Sequence, residues 1–173
     1  MRKSKDNACN EYVACYVDDL LISMKNPKEF CDHLKTKFNF KLKGDGPIEY
    51  HLGMNYSRDP DGTLCLQPKK YIEKIMESYR NMFGEMPKKY ASPLEPDDHP
   101  EIDESELCNK EETSQYLTMV GQLQWLITLG RFDIFSLVIT MSRFRAAPRK
   151  EHITRLKRIF GYVLGSKDGA IRV

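Results

Sequence analysis

The chain has 173 residues, 27 Lys/Arg against 25 Asp/Glu and a formal net charge of +2, enough length for a buried core in one or two domains and no overall charge that dictates a partner. Hydrophobic residues make up 40% and charged residues 30%; no run approaches the ~18 apolar residues of a membrane span, and Met1-Arg2-Lys3-Ser4-Lys5-Asp6 leads into no signal-type apolar core. Five scattered cysteines (Cys9, Cys15, Cys31, Cys65, Cys108), with no Cys-x-x-Cys pair and no histidines at zinc spacing, argue against a disulfide scaffold or zinc module and fit reduced thiols in an intracellular protein.

Residues 1–10 are polar and expected to fray, the first strand beginning near Glu11. From Glu11 to Ser23 two apolar, strand-favouring runs with period-2 patterning flank Asp18-Asp19, which predicts a β-hairpin whose tight turn holds both acids. Two carboxylates at a rigid tip suit a hard cation such as Mg²⁺, which takes one or two protein carboxylates and fills its shell with water and substrate phosphates. Aspartate is also an ordinary turn former, since its short side chain bonds its own backbone. The hairpin by itself leaves both readings open.

Asn26-Pro27 has the form of a helix start, with Asn as N-cap and Pro at the first helical position. Phe30, Leu34 and Phe38 then recur at helical spacing beside Cys31, predicting a helix with one face packed down. Phe40-Lys41-Leu42-Lys43 alternates like a strand and stops at Gly44-Asp45-Gly46-Pro47. Ile48 to Tyr56 and Thr63 to Leu66, around Asp59-Pro60-Asp61-Gly62, predict a second hairpin. Gly53 inside its first strand marks either a bulge or the close approach of another backbone.

Gln67-Pro68 opens a helix whose apolar stripe is Tyr71, Ile72, Ile75, Met76, Tyr79, Met82 and Phe83, with Gly84 as its stop. Lys69, Lys70, Glu73, Lys74, Glu77 and Arg80 form the opposite, mixed-charge face. Residues 85–112 carry Pro87, Pro93, Pro96 and Pro100 and an acidic run from Glu95 to Glu106. That composition predicts an extended surface linker between two lobes, repelled by a nucleic-acid backbone and so placed away from it.

From Glu111 the pattern is helical: Tyr116, Leu117, Met119, Val120, Leu123, Leu126 and Ile127 make a nearly all-round apolar helix containing Trp125 and ended by Gly130. A second helix carries Leu137, Val138, Met141 and Phe144; beyond Pro148 a third turns Ile153, Leu156, Ile159, Phe160, Val163 and Leu164 inward, predicting an antiparallel three-helix bundle. From Arg143 to Val173 nine Lys/Arg stand against two acids, a net +7, the footprint of either a phosphate-tracking surface or a solvated basic helix.

Tyr16-Val17-Asp18-Asp19 between apolar strands resembles the Tyr-x-Asp-Asp box of reverse transcriptases. Nearly the whole chain then resembles, in order, the reverse transcriptase of Ty1/copia-type retrotransposons. Leu52-Gly53-Met54 stands at the place of the primer grip, and Leu66 with Lys70-Tyr71-Ile72 matches a Leu-Ser-Gln-x-Lys-Tyr-Ile pattern in which Gln67 and Pro68 replace Ser-Gln. Tyr116 to Leu123 resembles Tyr-x-x-x-Val-Gly-x-Leu, and Arg131-Phe132-Asp133-Ile134 resembles Thr-Arg-Pro-Asp-Ile with Gly130 for the Thr and Phe132 for the Pro. Ser142-Arg143-Phe144, Pro148, His152 and Lys157-Arg158 continue the series towards the joint with a ribonuclease H domain.

The resemblance implies an α+β fold: a partial polymerase palm of antiparallel hairpins plus helix (1–66), a thumb helix (67–84), the acidic proline-rich linker (85–112) and a helical thumb/connection bundle (113–173). It implies RNA-directed DNA synthesis, with Mg²⁺ on Asp18 and Asp19, a primer grip at Leu52, Gly53 and Met54, and template–primer phosphates on Lys69, Lys70, Arg149, Lys150, Arg155, Lys157 and Arg158. Its partners would be RNA/DNA template–primer and the other polyprotein segments (integrase, fingers and remaining palm, ribonuclease H), with no membrane. Its place would be the cytoplasm, in virus-like particles, or the nucleus. The residues before Asp18 are too few for the family's further palm carboxylate and nucleotide-gripping fingers, so the expectation is a chain that does not polymerise alone. The alternatives are a non-catalytic nucleic-acid-binding module or transposon remnant, and a structural helical protein whose acids serve the turn only.

Overall fold

Strand-favouring residues on both sides of the acidic pair do form a hairpin in the computed structural model, which describes residues 2–4, 9–40, 42–43 and 46–173. The architecture is α+β, with five α-helices and two small antiparallel sheets among the described residues. Contacts divide the chain into two compact units, Met1–Ile48 and Glu49–Val173.

In the first unit β1 (Arg2–Lys3), β2 (Asn10–Tyr16) and β3 (Asp19–Ser23) pair antiparallel in that order, with Arg2 opposite Glu11 and Tyr16 opposite Asp19. Part of the stretch expected to fray is thus paired; residues 5–8 of it lie outside the described residues. Helix α1 (Pro27–Phe38) has Pro27 in its first turn, but Asn26 at the N-cap makes no side-chain cap bond. Cys31 is buried and Phe30 and Leu34 half-buried, whereas Phe38 is 62% exposed, so the packed stripe stops one turn short of the expectation. Of the strand expected over 40–43, Lys41 lies outside the described residues, as do Gly44 and Asp45 beyond it, and Phe40, Leu42 and Lys43 join no strand.

The second unit begins with a correction. Residues 48–56 are not one strand but two, β4 (Tyr50–His51) and β5 (Met54–Arg58), folded back at Leu52–Gly53. Leu52 and Gly53 both have positive φ, 49° and 90°, the requirement of a type I′ hairpin turn, so Gly53 is a turn residue and not a bulge. The Asp59–Gly62 turn forms as predicted, with Gly62 N–H donating to Asp59 O at 2.9 Å, and leads into β6 (Leu64–Gln67). The tail returns as β7 (Ile171–Arg172) to complete the order β4-β5-β6-β7.

Helices α2 (Lys69–Phe83), α3 (Lys110–Thr128), α4 (Phe135–Ser142) and α5 (Lys150–Gly165) follow. Their apolar faces share one core: Ile72, Ile75, Met76 and Tyr79 of α2 meet Tyr116, Val120 and Leu123 of α3, Val138 and Met141 of α4, and Leu156, Ile159 and Phe160 of α5. The predicted three-helix bundle therefore has a fourth member in α2. Each fully buried side chain of this size contributes about 1.5–3 kcal/mol. Asn109 and Glu112 form a reciprocal capping box at the start of α3 (2.9 and 2.8 Å), a contribution of about 1 kcal/mol.

The proline-rich segment does not stand apart. It crosses α5 as a strap, Tyr90 N–H donating to Gly161 O at 3.4 Å and Cys108 N–H to Pro148 O at 2.9 Å. The Lys88 carbonyl and Tyr90 ring lie so close over Gly161 that a Cβ there would overlap them. The division between units falls at Ile48/Glu49 and not in this segment.

Tyr12, Val13, Tyr16, Val17, Phe38 and Phe40 of the first unit are all exposed, while α3 and α5 line the common core. Opening of the hairpin should therefore cost far less than opening of the helices. In native-state hydrogen exchange, amides of β2 and β3 are expected to exchange well before those of Leu123 or Ile159; equal protection would contradict this ordering.

Candidate metal and nucleic-acid sites

Two residues, Val17 and Asp18, make the turn between β2 and β3; Asp19 is already the first residue of the returning strand. Both carboxylates are exposed. Val17 sits at φ 51°, a left-handed conformation that is rare for a β-branched residue and costs on the order of 1–3 kcal/mol. Two adjacent hard-oxygen donors on an exposed tip suit Mg²⁺ by their chemistry. Among the described residues no group of three or more His, Cys, Asp or Glu side chains is arranged to hold a metal ion, so most of the ion's shell would come from water and substrate oxygens.

The Leu52–Gly53 turn, which belongs to the other unit, rests on α3. A Cβ on Gly53 would lie 3.0 Å from Leu129 Cδ1 and 3.5 Å from Trp125 Nε1; glycine is required there by both backbone and space. Met54, the third predicted grip residue, is buried at the start of β5, and Leu52 is exposed. Asn55 ties the same hairpin to α2, its Oδ1 accepting from Lys70 N–H at 3.0 Å. Lys69 and Lys70 are exposed, and Lys70 Nζ lies 4.8 Å from the Tyr50 ring centroid.

Sequence periodicity placed Leu117 and Trp125 within an all-round apolar helix. Both instead face outward, Trp125 at 46% exposure, with Gly121 between them and nothing within 4 Å of where its Cβ would be. Spacing of four and eight residues makes Leu117, Gly121 and Trp125 one stripe. The glycine mid-helix, otherwise costly by about 1 kcal/mol, was the available signal that this face is not packed into the core. Alongside it, Lys74, Ser78, Asn81, Ser114, Gln115 and Thr118 line an open groove of about 490 Å³ between α2 and α3. Between the same two helices Tyr71 OH donates to Gln122 O at 3.1 Å, and burial pushes the Tyr71 phenol up to about 12.

The basic residues predicted on α5 are engaged within the chain. Arg155 pairs with Asp98 (2.8 Å) and Asp103 (2.5 Å), Arg158 with Glu95 (2.6 Å), and Lys150 with Glu106 (2.5 Å). Arg149 donates to Ser105 O, and Lys157 Nζ lies over the Phe83 ring at 3.9 Å. The acidic run thus meets the basic helix directly: opposite charges in one chain neutralise each other before either meets a third party. His152 is buried against the stacked Phe144 ring, its Nδ1 accepting from Arg149 N–H (3.1 Å) and its Nε2 3.0 Å from Pro100 O. Near the other end of α5, Arg131 is bidentate on Asp133 (2.9 and 2.7 Å) and donates to Ser166 Oγ at 2.7 Å, staking the α3–α4 connection to the helix end.

Asp103 is the most enclosed of the strap acids, its side chain 3% exposed. Burial pushes its carboxyl up, but hydrogen bonds from Ser105 and Arg155, with the field of His152, outweigh burial and hold it below the usual aspartate range. A folded-state value below the unfolded one means stability that is present above about pH 4 and lost as pH falls through the folded value. Asp103→Asn should cost about 3 kcal/mol at neutral pH by leaving Arg155 half-paired, and the gap to the unmodified chain should narrow towards pH 3. Denaturant titrations at pH 7 and pH 3 check this; a gap that stays constant with pH would contradict it.

No protein-family model and no solved structure matches the chain. Curated relatives do. A transposon Ty5-1 protein of Saccharomyces cerevisiae is 29% identical over 166 residues, 93% of this chain and 51% of its own length. The retrovirus-related Pol polyprotein from transposon RE1 of Arabidopsis thaliana is 31% identical over 92% of the chain, and that from transposon TNT 1-94 of Nicotiana tabacum 33% over 87%. The chain spans about half of the first relative and 10% and 12% of the two polyproteins. Among the described residues no helix is long and apolar enough to cross a membrane. With 29–33% identity sustained over about nine-tenths of its length, the chain is a homologue of the Pol polyproteins of Ty1/copia-type retrotransposons.

Proposed function

We propose that this chain supplies the acidic hairpin, the primer-grip hairpin and the thumb and connection of a retrotransposon reverse transcriptase. Asp18 and Asp19 are its Mg²⁺ ligands; the Leu52–Gly53 turn, the outward stripe of α3 and the lysines of α2 hold the RNA/DNA template–primer. The observation that carries this reading is the seating of the Leu52–Gly53 turn against Trp125 and Leu129. It gathers an exposed leucine, an exposed tryptophan and a bare helical glycine on one face, with Lys69 and Lys70 at the next helix. Such a face suits a template–primer: apolar and aromatic groups lie against sugars or stack on unpaired template bases, a missing side chain lets the backbone come close, and lysines neutralise phosphates.

Bound Mg²⁺ would neutralise developing charge on a transferring phosphoryl group and activate the attacking hydroxyl. The chain's own part is to present two carboxylate oxygens at the hairpin tip and to hold the primer in place. Nucleotide selection and any further carboxylate belong, in this proposal, to other Pol segments. A nucleic-acid-binding module that does not polymerise is the second reading, favoured by a face of exposed Leu52, Trp125, Lys69 and Lys70 that needs no metal to meet nucleic acid.

Fluorescence anisotropy with an RNA/DNA template–primer tests the face: Trp125→Ala should weaken binding by about 1–3 kcal/mol, roughly 5- to 150-fold, and an unchanged Kd would count against it. Mn²⁺ tests the tip. Its paramagnetism should broaden NMR signals of residues 16–21 selectively, and Asp18→Asn with Asp19→Asn should abolish that broadening; broadening that survives the double change would remove the metal assignment.

A further inference from the structure

Between Leu94 and Glu106 the strap carries seven acids (Glu95, Asp97, Asp98, Glu101, Asp103, Glu104, Glu106) and no Lys or Arg. It runs antiparallel to α5, its acids meeting the helix in reverse order: Glu95 on Arg158, Asp98 and Asp103 on Arg155, Glu106 on Lys150. The pairs differ in kind. Asp98, Asp103 and Arg155 are enclosed, their side chains 16%, 3% and 16% exposed. Glu95 and Glu106 are 69% and 80% exposed, in water and open to salt and exchange. Glu95 also satisfies its partner incompletely: it takes one Nη of Arg158, whose Nε is buried without an acceptor while the guanidinium lies over the Tyr90 ring at 4.4 Å.

We infer that the strap is an intramolecular stand-in for a phosphate backbone, fixed at its centre by Arg155 and exchangeable at its ends, so that Glu95 and Glu106 mask Arg158 and Lys150 from duplex nucleic acid. The masking rests on the nucleic-acid reading above and adds to it a second contact surface, opened by displacing the strap's outer acids while Asp98 and Asp103 keep it attached. Charge complementarity and the reversed register argue for it: a run of negative charge laid along α5 is what the helix already holds. Each freed cation that meets a phosphate adds about 0.9 to the slope of log K against log salt on duplex DNA.

The test is equilibrium binding of the full chain to a short DNA duplex across a salt series. Glu95→Gln with Glu106→Gln should steepen the slope by about two units, and adding Lys150→Gln with Arg158→Gln should return it to that of the unmodified chain. Asp97 and Glu104, which make no ion pair among the described residues, provide a charge-matched control. Asp97→Asn with Glu104→Gln changes net charge equally but should leave the slope as it was. Equal slopes for the Glu95/Glu106 variant and the unmodified chain would overturn the masking, as would equal steepening by the control. The failure of the α3 reading looks different. There Trp125→Ala leaves duplex affinity intact while the Glu95/Glu106 variant still steepens.

Discussion

Arg155 and the two carboxylates that enclose it, Asp98 and Asp103, hold together parts of the chain that share no strand or helix. The guanidinium is largely withdrawn from water, and an arginine so placed needs acids on it, because the penalty for burying an unpaired charge exceeds what packing returns. Those acids come from a segment with a single 3₁₀ turn as its regular structure, Pro100–Ile102. Once they are in place, Pro100 O is within reach of His152, Ser105 within reach of Arg149 and Glu151, and the N-terminus of α5 is closed. The helix is thus positioned by the ion pairs at its surface together with Leu156 and Ile159 beneath it.

The second unit presents two surfaces with different electrostatics. Along α3 and the Leu52–Gly53 hairpin the groups are apolar, aromatic or small, with lysines at the margin, and the strap does not pair with them. Along α5 the cations are abundant but already answered. A surface rich in Lys and Arg is commonly taken for a nucleic-acid track; here the count from Arg143 onward overstates what is available, since local charge balance and not composition sets the potential that a partner meets.

Much of this was legible in the sequence. The hairpin around Asp18-Asp19, helix α2 with its stripe and its stop at Gly84, and the buried faces of α3 and α5 follow from periodicities of 2 and 3.6, because burial of a face imposes them. What escaped depends on pairing across distance. The pairing of Glu95 with Arg158 spans 63 residues, and nothing in either local pattern announces it. Gly53 admitted a bulge or a close approach, and the turn that occurs needs a positive φ at Leu52 as well, which leucine does not advertise. Trp125 was read with the core because an apolar residue in an apolar helix gives no sign of its direction; only the glycine one turn earlier did. The two-residue strands β1 and β7 are shorter than any alternation can reveal.

The antiparallel register of strap and helix has a consequence for how this chain can vary. Contacts that recur along α5 at Lys150, Arg155 and Arg158 fix how much backbone must separate Glu106, Asp103, Asp98 and Glu95, much as teeth fix the pitch of a rack. Irregular segments ordinarily absorb insertions and deletions with little penalty. Loss of one residue between Asp98 and Asp103 would pull one of the two acids off Arg155, and gain of one would leave slack over a buried charge. This coil should be as intolerant of length change as a strand at the centre of a sheet.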